Sequence, residues 1–249
     1  MKFDLLSDDI STTSTPGIGL IVPFDFDLDD ECWRWMPDGT CLFIARTHRA
    51  ENPLITVEFA EEICSADVVA PAVGSLLATR PEAVAYACTA ASFVRGKAGE
   101  KLLRSAILEA GAPQAATSSG ALLMALDVLQ ITSLAIATPY NEVLTDLLGN
   151  YIEESGRKVV SRRFLDLEEG IARVKYSAVR RMAHEVDHPD AEAIFFSCTN
   201  LHTFDMIEEL EKELGKPILS ANQVTMWAAF KLGGLPMPKV NQRLFTLAA

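Results

Sequence analysis

The feature that most constrains the fold is an internal repeat in which four short landmarks return in the same order. The paired segments are 22–25 (VPFD) and 138–141 (TPYN), 86–89 (YACT) and 196–199 (FSCT), 111–113 (GAP) and 215–217 (GKP), and 117–119 (TSS) and 220–222 (SAN). The spacing between the copies shortens steadily, from 116 to 103 residues. Ordered self-similarity of this kind is typical of a duplicated structural unit. The sequence therefore predicts two structurally similar halves.

Short apolar runs alternate with amphipathic stretches along both halves. The apolar runs lie at 18–22, 41–45, 67–70, 83–87, 133–137, 159–165 and 193–196. Runs of this length suit strands that are buried on both faces of a parallel sheet. Between them, residues 99–110 and Phe204–Leu214 have apolar side chains at helical spacing, and a glycine that suits a helix end follows each stretch. This alternation predicts an α/β fold with right-handed crossovers.

The repeat and the alternation together predict the domain organisation. We expect two pseudo-symmetric Rossmann-like lobes, each a mainly parallel four-stranded sheet flanked by helices, with the active site in the cleft between them. Residues 1–15 are rich in Ser, Thr and Asp and are expected to form a flexible lead-in. We assign residues 16–115 to the first lobe, joined by the C-terminal segment 226–249, and residues 116–225 to the second lobe.

Cys88 and Cys198 occupy equivalent places in the two halves, each just after a predicted strand. Ligands of open parallel sheets bind beyond the carboxyl ends of the strands, so facing halves bring the two thiols to opposite sides of one cleft. Two thiols on opposite faces of a small carbon acid supply a base or nucleophile on one face and an acid on the other. We expect a helix N-terminus after each thiol, which would lower the pKa of that thiol and bind a carboxylate through free N–H groups.

The charge balance excludes polyanionic partners. The chain has 249 residues, with 22 Lys and Arg against 34 Asp and Glu, and a formal net charge of −12. Such a field repels nucleic acids and anionic membrane surfaces, so we expect neither as a partner. A small carboxylate is compatible with this charge, because amides and hydroxyl groups can bind it without Lys or Arg.

The cysteine and histidine patterns argue against a metal site. The chain has five cysteines and no CxxC pair. His184 and His188 match the HExxH zinc motif, but His188 precedes Pro189, which disfavours one continuous helix through both histidines. The sequence shows neither a signal-peptide pattern nor an apolar run of about 18 residues. We therefore expect a cytoplasmic protein with free thiols and no metal.

Five segments together resemble a known enzyme family. They are GLIVP (19–23), CTAASFVRG (88–96), ATPYNEVL (137–144), SCTNL (197–201) and GKPILSANQVTMWAAFKLGG (215–234). Over residues 17–247 the chain is similar to the maleate cis-trans isomerase and arylmalonate decarboxylase group of the aspartate/glutamate racemase superfamily. The stretch PFDFDLDDECWRWMP (23–37) also resembles isomerase-like proteins found with ectoine utilisation. The resemblance implies two pseudo-symmetric domains, catalysis without a cofactor, and a small carboxylate substrate. We also expect a homodimer or homotetramer.

The resemblance also implies roles for individual residues. In the isomerases of this group the first strand-end cysteine attacks the alkene carbon and the second is an acid/base, and these positions match Cys88 and Cys198. In the decarboxylases the first position is glycine, and the second cysteine alone protonates an enediolate. The residues expected to bind substrate are Thr89, Tyr140, Ala90 and Thr199 (the last two through backbone amides), with Pro23 and Phe24 at the end of the first strand.

One segment departs from the maleate isomerases, which have Asn-Thr-Thr after the proline of the first strand. Here the chain reads Phe24-Asp25-Phe26-Asp27, which suits a substrate with one carboxylate and a less polar or cationic remainder. The sequence thus predicts a cofactor-independent isomerase or racemase of a small carboxylic or amino acid. Two alternatives stay open: a decarboxylase-like lyase that uses Cys198 alone, and a non-catalytic small-molecule binding or sensor protein.

Overall fold

Two parallel sheets of four strands form the framework, one from each half of the chain. The computed structural model describes residues 15–247, so all but the last residue of the predicted lead-in lies outside the described residues. The first sheet contains β1 (Gly17–Val22), β2 (Cys41–Arg46), β3 (Ala83–Tyr86) and β4 (Ala115–Thr117), and the second contains β5 (Ser133–Thr138), β6 (Lys158–Phe164), β7 (Ala193–Phe196) and β8 (Ile218–Ser220). The strand orders, β2-β1-β3-β4 and β6-β5-β7-β8, are the same. The predicted α/β fold of two similar four-stranded lobes is confirmed.

Eleven helices of the described chain connect and cover these strands. They are α1 (Asp29–Trp33), α2 (Val57–Ile63), α3 (Ala66–Leu77), α4 (Thr89–Phe93), α5 (Gly96–Glu109), α6 (Ser118–Val128), α7 (Glu142–Glu153), α8 (Tyr176–Val186), α9 (Phe204–Leu214), α10 (Ala221–Gly233) and α11 (Arg243–Leu247). A short 3₁₀ turn, Ile171–Arg173, precedes α8. Within residues 15–247, no helix is both long and apolar enough to cross a membrane.

Burial follows the position of each strand in its sheet. The central strands β1, β3 and β7 are buried along their whole length because apolar side chains point to both faces. The edge strand β6 is partly exposed and carries Lys and Arg, as suits a strand with one unpaired edge. One strand prediction is wrong: residues 67–70 lie in α3, where buried side chains recur at helical spacing from Val68 to Leu76.

The last long helix ties the two halves together. After leaving β8 in the second sheet, α10 packs on β1, β3 and β4 of the first sheet and against α6. Ser118 of α6 and Thr225 of α10 share a buried hydrogen bond of 2.8 Å. The repeated landmarks at 117–119 and 220–222 begin these two helices, since Thr117 and Ser220 accept hydrogen bonds from the first-turn N–H groups. The exact lobe boundaries stay a prediction.

Candidate active site

Cys88 and Cys198 lie at the carboxyl ends of β3 and β7, the third strand of each sheet order. Both are buried, and both line one small cavity of about 20 Å³. Each half therefore contributes one thiol to the same space, at the edge of the sheets where ligands of parallel α/β folds bind. The sequence prediction that the two cysteines meet in one site agrees with this geometry.

The cavity also gathers most of the residues predicted to bind substrate. Lining it with the two thiols are Pro23, Thr89, Ala90, Tyr140 and Thr199. Phe24 is the exception: it lines an adjoining larger cavity and stacks edge-on against Phe59, with 6.2 Å between the ring centroids. Phe24 is therefore placed beside the thiol cavity rather than in it.

Among the described residues, four that were not predicted as individual site residues also line the thiol cavity: Asp25, Ile55, Phe59 and Asn200. Two of them carried a sequence signal, because Asp25 follows the strand-end proline by two residues and Asn200 follows Cys198 by two. Ile55 and Phe59 belong to no repeated landmark. They come from the segment after β2, and its backbone is held in place by the Ile55 N–H, which donates to the carbonyl of Glu168 (2.8 Å).

The expectation that the thiols have low pKa values is wrong. Burial raises the pKa of Cys198 to about 12, although the N–H of Asn200 and the hydroxyl of Tyr140 favour the thiolate. Burial also raises the pKa of Cys88 far above its ordinary value, opposed by the N–H of Ala91. The helix that follows Cys88 has only five residues, and Cys198 is followed by a turn. Both side chains are thus protonated thiols at neutral pH.

Cys198 has an unusual backbone conformation. Its φ is +85°, in the left-handed region that favours glycine, whereas Cys88 is extended with φ −143°. A non-glycine residue pays a steric cost in this region because of its Cβ atom. A strained backbone held by its surroundings is a feature that clusters at functional sites.

This strain predicts opposite effects of glycine at the two cysteines. Cys198→Gly is expected to be more stable than Cys198→Ala by about 1 kcal/mol, because glycine adopts a positive φ freely. At Cys88 the order reverses, with Cys88→Ala more stable than Cys88→Gly by about 0.5–1 kcal/mol. Urea unfolding of the four variants measures both differences. The same sign at both positions would contradict strain at Cys198.

The two threonines that follow the cysteines differ in their hydrogen bonding. Thr199 Oγ1 donates to the carbonyl of Ala87 (3.1 Å) and is satisfied within the protein. Thr89 Oγ1 is fully buried and has no hydrogen-bond partner among the described residues. A buried hydroxyl without a partner is costly, so Thr89, which lines the cavity, carries an unused donor and acceptor at this site.

A buried carboxylate fixes the segment that follows Cys198. Glu31 of α1 accepts hydrogen bonds from the Thr203 N–H (2.9 Å), the Thr203 hydroxyl (3.1 Å) and Asn222 Nδ2 (3.2 Å). Asn222 Nδ2 also donates to the carbonyl of Thr199 (2.9 Å). Glu31, which lies in the other half of the chain, therefore caps the start of α9. Through Asn222 it is also linked to the turn that follows Cys198.

The HExxH motif is divided between a helix and a turn. Helix α8 ends at Val186, so His184 lies on it and His188 lies beyond its end. His188 Nδ1 accepts a hydrogen bond from the N–H of Asp190 (3.1 Å), within the turn that leads to β7. The two histidines thus do not share a helix face, as zinc binding by this motif requires.

Comparisons with known proteins identify relatives over most of the chain. A family model for arylmalonate decarboxylase matches residues 54–245. The arylmalonate decarboxylase of Bordetella bronchiseptica is 31% identical over 150 residues, which cover 59% of this chain and 62% of that protein. The maleate isomerase of Pseudomonas putida is 28% identical over 158 residues, which cover 60% of this chain and 63% of that protein. The chain thus spans less than two thirds of the length of these curated relatives.

A solved structure extends the likeness to the whole fold. It is a liganded arylmalonate decarboxylase mutant in which a glycine is replaced by cysteine and a cysteine by serine. Its TM-score is 0.84 at 27% identity, covering 93% of this chain and 99% of that chain.

Proposed function

The chain belongs to the arylmalonate decarboxylase family, and from this premise we propose that it is a cofactor-independent isomerase or racemase of a small carboxylic or amino acid. Cys88 and Cys198 act from opposite sides of the substrate. The observation that carries this proposal is the thiol cavity, where both thiols lie with the unpartnered hydroxyl of Thr89. A reaction that acts on both faces of the substrate uses both thiols.

The substrate carboxylate is held by neutral donors. The Thr89 hydroxyl donates to one carboxylate oxygen, and the Tyr140 hydroxyl and the amides of Ala90 and Thr199 supply the remaining contacts. These groups also stabilise the negative charge that moves onto the carboxylate when the adjacent carbon loses a proton or gains a nucleophile. No lysine or arginine among residues 15–247 lines the thiol cavity, so the described part of this site takes a carboxylate into a chain of net charge −12 by hydrogen bonding.

In either reaction the two cysteines act on opposite faces of the substrate. In racemisation, one cysteine as thiolate removes the proton from the carbon next to the carboxylate, the electron pair moves into the carboxylate, and the opposite thiol returns a proton to the other face. In isomerisation, the Cys88 thiolate forms a C–S bond to the alkene, Cys198 protonates the neighbouring carbon, and elimination after rotation reverses both steps. Each cycle needs one thiolate, and the N–H groups of Ala91 and Asn200 favour that form.

One experiment separates the reactions open to this family. A panel of small carboxylic and amino acids is incubated with the protein in D₂O and followed by NMR. Racemisation exchanges the proton beside the carboxylate for deuterium, isomerisation converts one geometric isomer to the other, and decarboxylation releases carbon dioxide. We expect exchange or isomerisation without carbon dioxide. A panel that shows no turnover would contradict an enzymatic role.

A decarboxylase that uses Cys198 alone is the second candidate. It is favoured by the 31% identity to an arylmalonate decarboxylase and by the family model. In that reaction the C–C bond to one carboxylate breaks, carbon dioxide leaves, and the Cys198 thiol protonates the resulting enediolate. Carbon dioxide release that persists in Cys88→Ala would select this candidate.

Thr89 and Thr199 provide a matched pair that tests the carboxylate site. Thr89→Val is expected to leave stability unchanged or raise it by about 1 kcal/mol, since an unsatisfied buried hydroxyl is removed. The same change is expected to lower kcat/KM by about 10-fold or more, because a hydrogen bond to the charged carboxylate is lost. Thr199→Val, which loses a hydrogen bond to the Ala87 carbonyl, is expected to lose about 1 kcal/mol of stability. A Thr89→Val protein with unchanged kcat/KM would contradict the assigned contact.

A further inference from the structure

The thiol cavity is too small to hold a whole substrate. Its volume is about 20 Å³, whereas a single water molecule requires about 10–15 Å³ on this measure. A second cavity of about 460 Å³, here called the outer cavity, adjoins it, and Asp25, Ile55 and Asn200 line both. A substrate whose carboxylate lies beside the thiols must therefore extend past these three side chains.

Asp25 presents an unpaired carboxylate at this shared wall. Asn200 fixes its backbone from both sides, because Asn200 Nδ2 donates to the Asp25 carbonyl (3.0 Å) and Asn200 Oδ1 accepts from the Asp27 N–H (2.9 Å). Within residues 15–247, no Lys, Arg or His forms an ion pair with Asp25, and only its own N–H donates to its carboxylate. Burial raises the pKa of Asp25, as happens when no cation compensates a half-buried carboxylate.

Acidic side chains outnumber basic ones in the lining of the outer cavity. Among the described residues, Asp25, Asp27 and Glu169 line it, and Arg173 is the one cation. Phe24 adds apolar surface. A positive group on the substrate would be attracted here, whereas a second carboxylate would meet like charges.

Thr89 gives a second and independent sign of a ligand. Thr89 is 1% exposed and lines the thiol cavity together with Asp25, and its hydroxyl lacks a hydrogen-bond partner among the described residues. The thiol cavity therefore has an unused hydrogen-bond donor in Thr89. The side that it shares with the outer cavity has an unpaired negative charge in Asp25. A molecule with a carboxylate and a cation satisfies both at once.

We propose that the substrate is a carboxylate that also carries an ammonium group, which pairs with Asp25 while the remainder lies in the outer cavity. This inference rests on the proposed function in one respect, the placement of the carboxylate between the thiols. It separates the chain from enzymes of dicarboxylates, because a second carboxylate has no cationic partner at the shared wall.

The pairing also prepares the thiols for reaction. The negative charge of Asp25 contributes to the raised pKa of both Cys88 and Cys198. An ammonium group beside Asp25 offsets that charge and so favours thiolate formation when the substrate arrives. The free protein keeps its thiols protonated, and the bound cation removes part of the cost of ionising one of them.

The test compares butanoate with 2-, 3- and 4-aminobutanoate, which share one carbon skeleton. Binding is measured by calorimetry to a full-length Cys88→Ala/Cys198→Ala protein, so that no thiol chemistry interferes. At least one aminobutanoate is expected to bind about tenfold more tightly than butanoate. Asp25→Asn in the same background is expected to remove this preference. Asp30→Asn, which removes an equal charge from an exposed position five residues further along the chain, is expected to keep it.

The outcomes distinguish the ammonium site from the proposed function. Equal binding of all four compounds, no binding of any of them, or a preference that survives Asp25→Asn would overturn the ammonium site. Deuterium exchange by the wild-type protein that is as fast with butanoate as with the aminobutanoates would also overturn it, while supporting the thiol mechanism. An Asp25-dependent preference without exchange of any compound would support the ammonium site and count against the proposed function.

Discussion

Replacing either Cys88 or Cys198 by alanine is expected to reduce turnover by about 10²–10⁴-fold while leaving the fold intact. Each alanine removes the group that transfers a proton or forms a bond on one face of the substrate, and the thiol on the opposite face cannot reach across. Both cysteines are small buried residues at strand ends, so the loss of one sulfur atom leaves the sheets in place. Deuterium exchange or isomerisation measured by NMR on the best substrate of the panel gives the rates.

Cys64 supplies the matched control for these variants. It is buried to the same degree as Cys198 but does not line the thiol cavity, so Cys64→Ala is expected to keep the wild-type rate. Loss in both cavity variants supports the two-thiol mechanism. Loss in Cys198→Ala alone, with carbon dioxide released, selects the decarboxylase. Wild-type rates in both cavity variants would refute cysteine catalysis.

The duplicated architecture could be predicted because its signals are repeated and local. The strand-end turns at Cys88 and Cys198 and the helix starts at Thr117 and Ser220 recur in order, and the structure places each pair at equivalent positions in two sheets of identical strand order. Repetition also compensates for weak individual signals. The strands β4 and β8 have three residues each, too short to stand out as apolar runs, yet the landmarks beside them marked the starts of α6 and α10.

The site was predictable only where its residues belong to the repeat. Thr89, Tyr140 and Thr199 belong to the repeated landmarks and were predicted, whereas Ile55 and Phe59 reach the cavity from a segment whose course depends on tertiary packing. The prediction that the thiols have low pKa values failed for a different reason. Sequence position predicts a turn with free N–H groups beside each cysteine, but the pKa of the thiol depends on how much solvent the other half of the chain excludes. Burial outweighs the N–H groups at both cysteines.

Glu31→Ala is expected to lower the free energy of unfolding by about 3 kcal/mol, because buried donors lose a charged acceptor. Glu31 is 2% exposed and accepts from Thr203 and Asn222. Alanine leaves the N–H of Thr203 and Asn222 Nδ2 without this buried acceptor. Glu31→Gln is expected to lose less, since its carbonyl oxygen can still accept from Thr203, while its NH₂ group faces other donors.

Denaturant unfolding of these variants, with Asp30→Ala as control, tests the role of Glu31. Asp30 lies on the same helix but is exposed, so its loss is expected to change stability by no more than about 0.5 kcal/mol. Hydrogen exchange locates the effect, because the Thr203 N–H should lose protection in Glu31→Ala before the central strands do. Equal stability of Glu31→Ala and Asp30→Ala would show that α9 does not depend on this cap. A large, localised loss would mean that the first half of the chain stabilises the start of α9 and, through Asn222, the turn that carries Cys198.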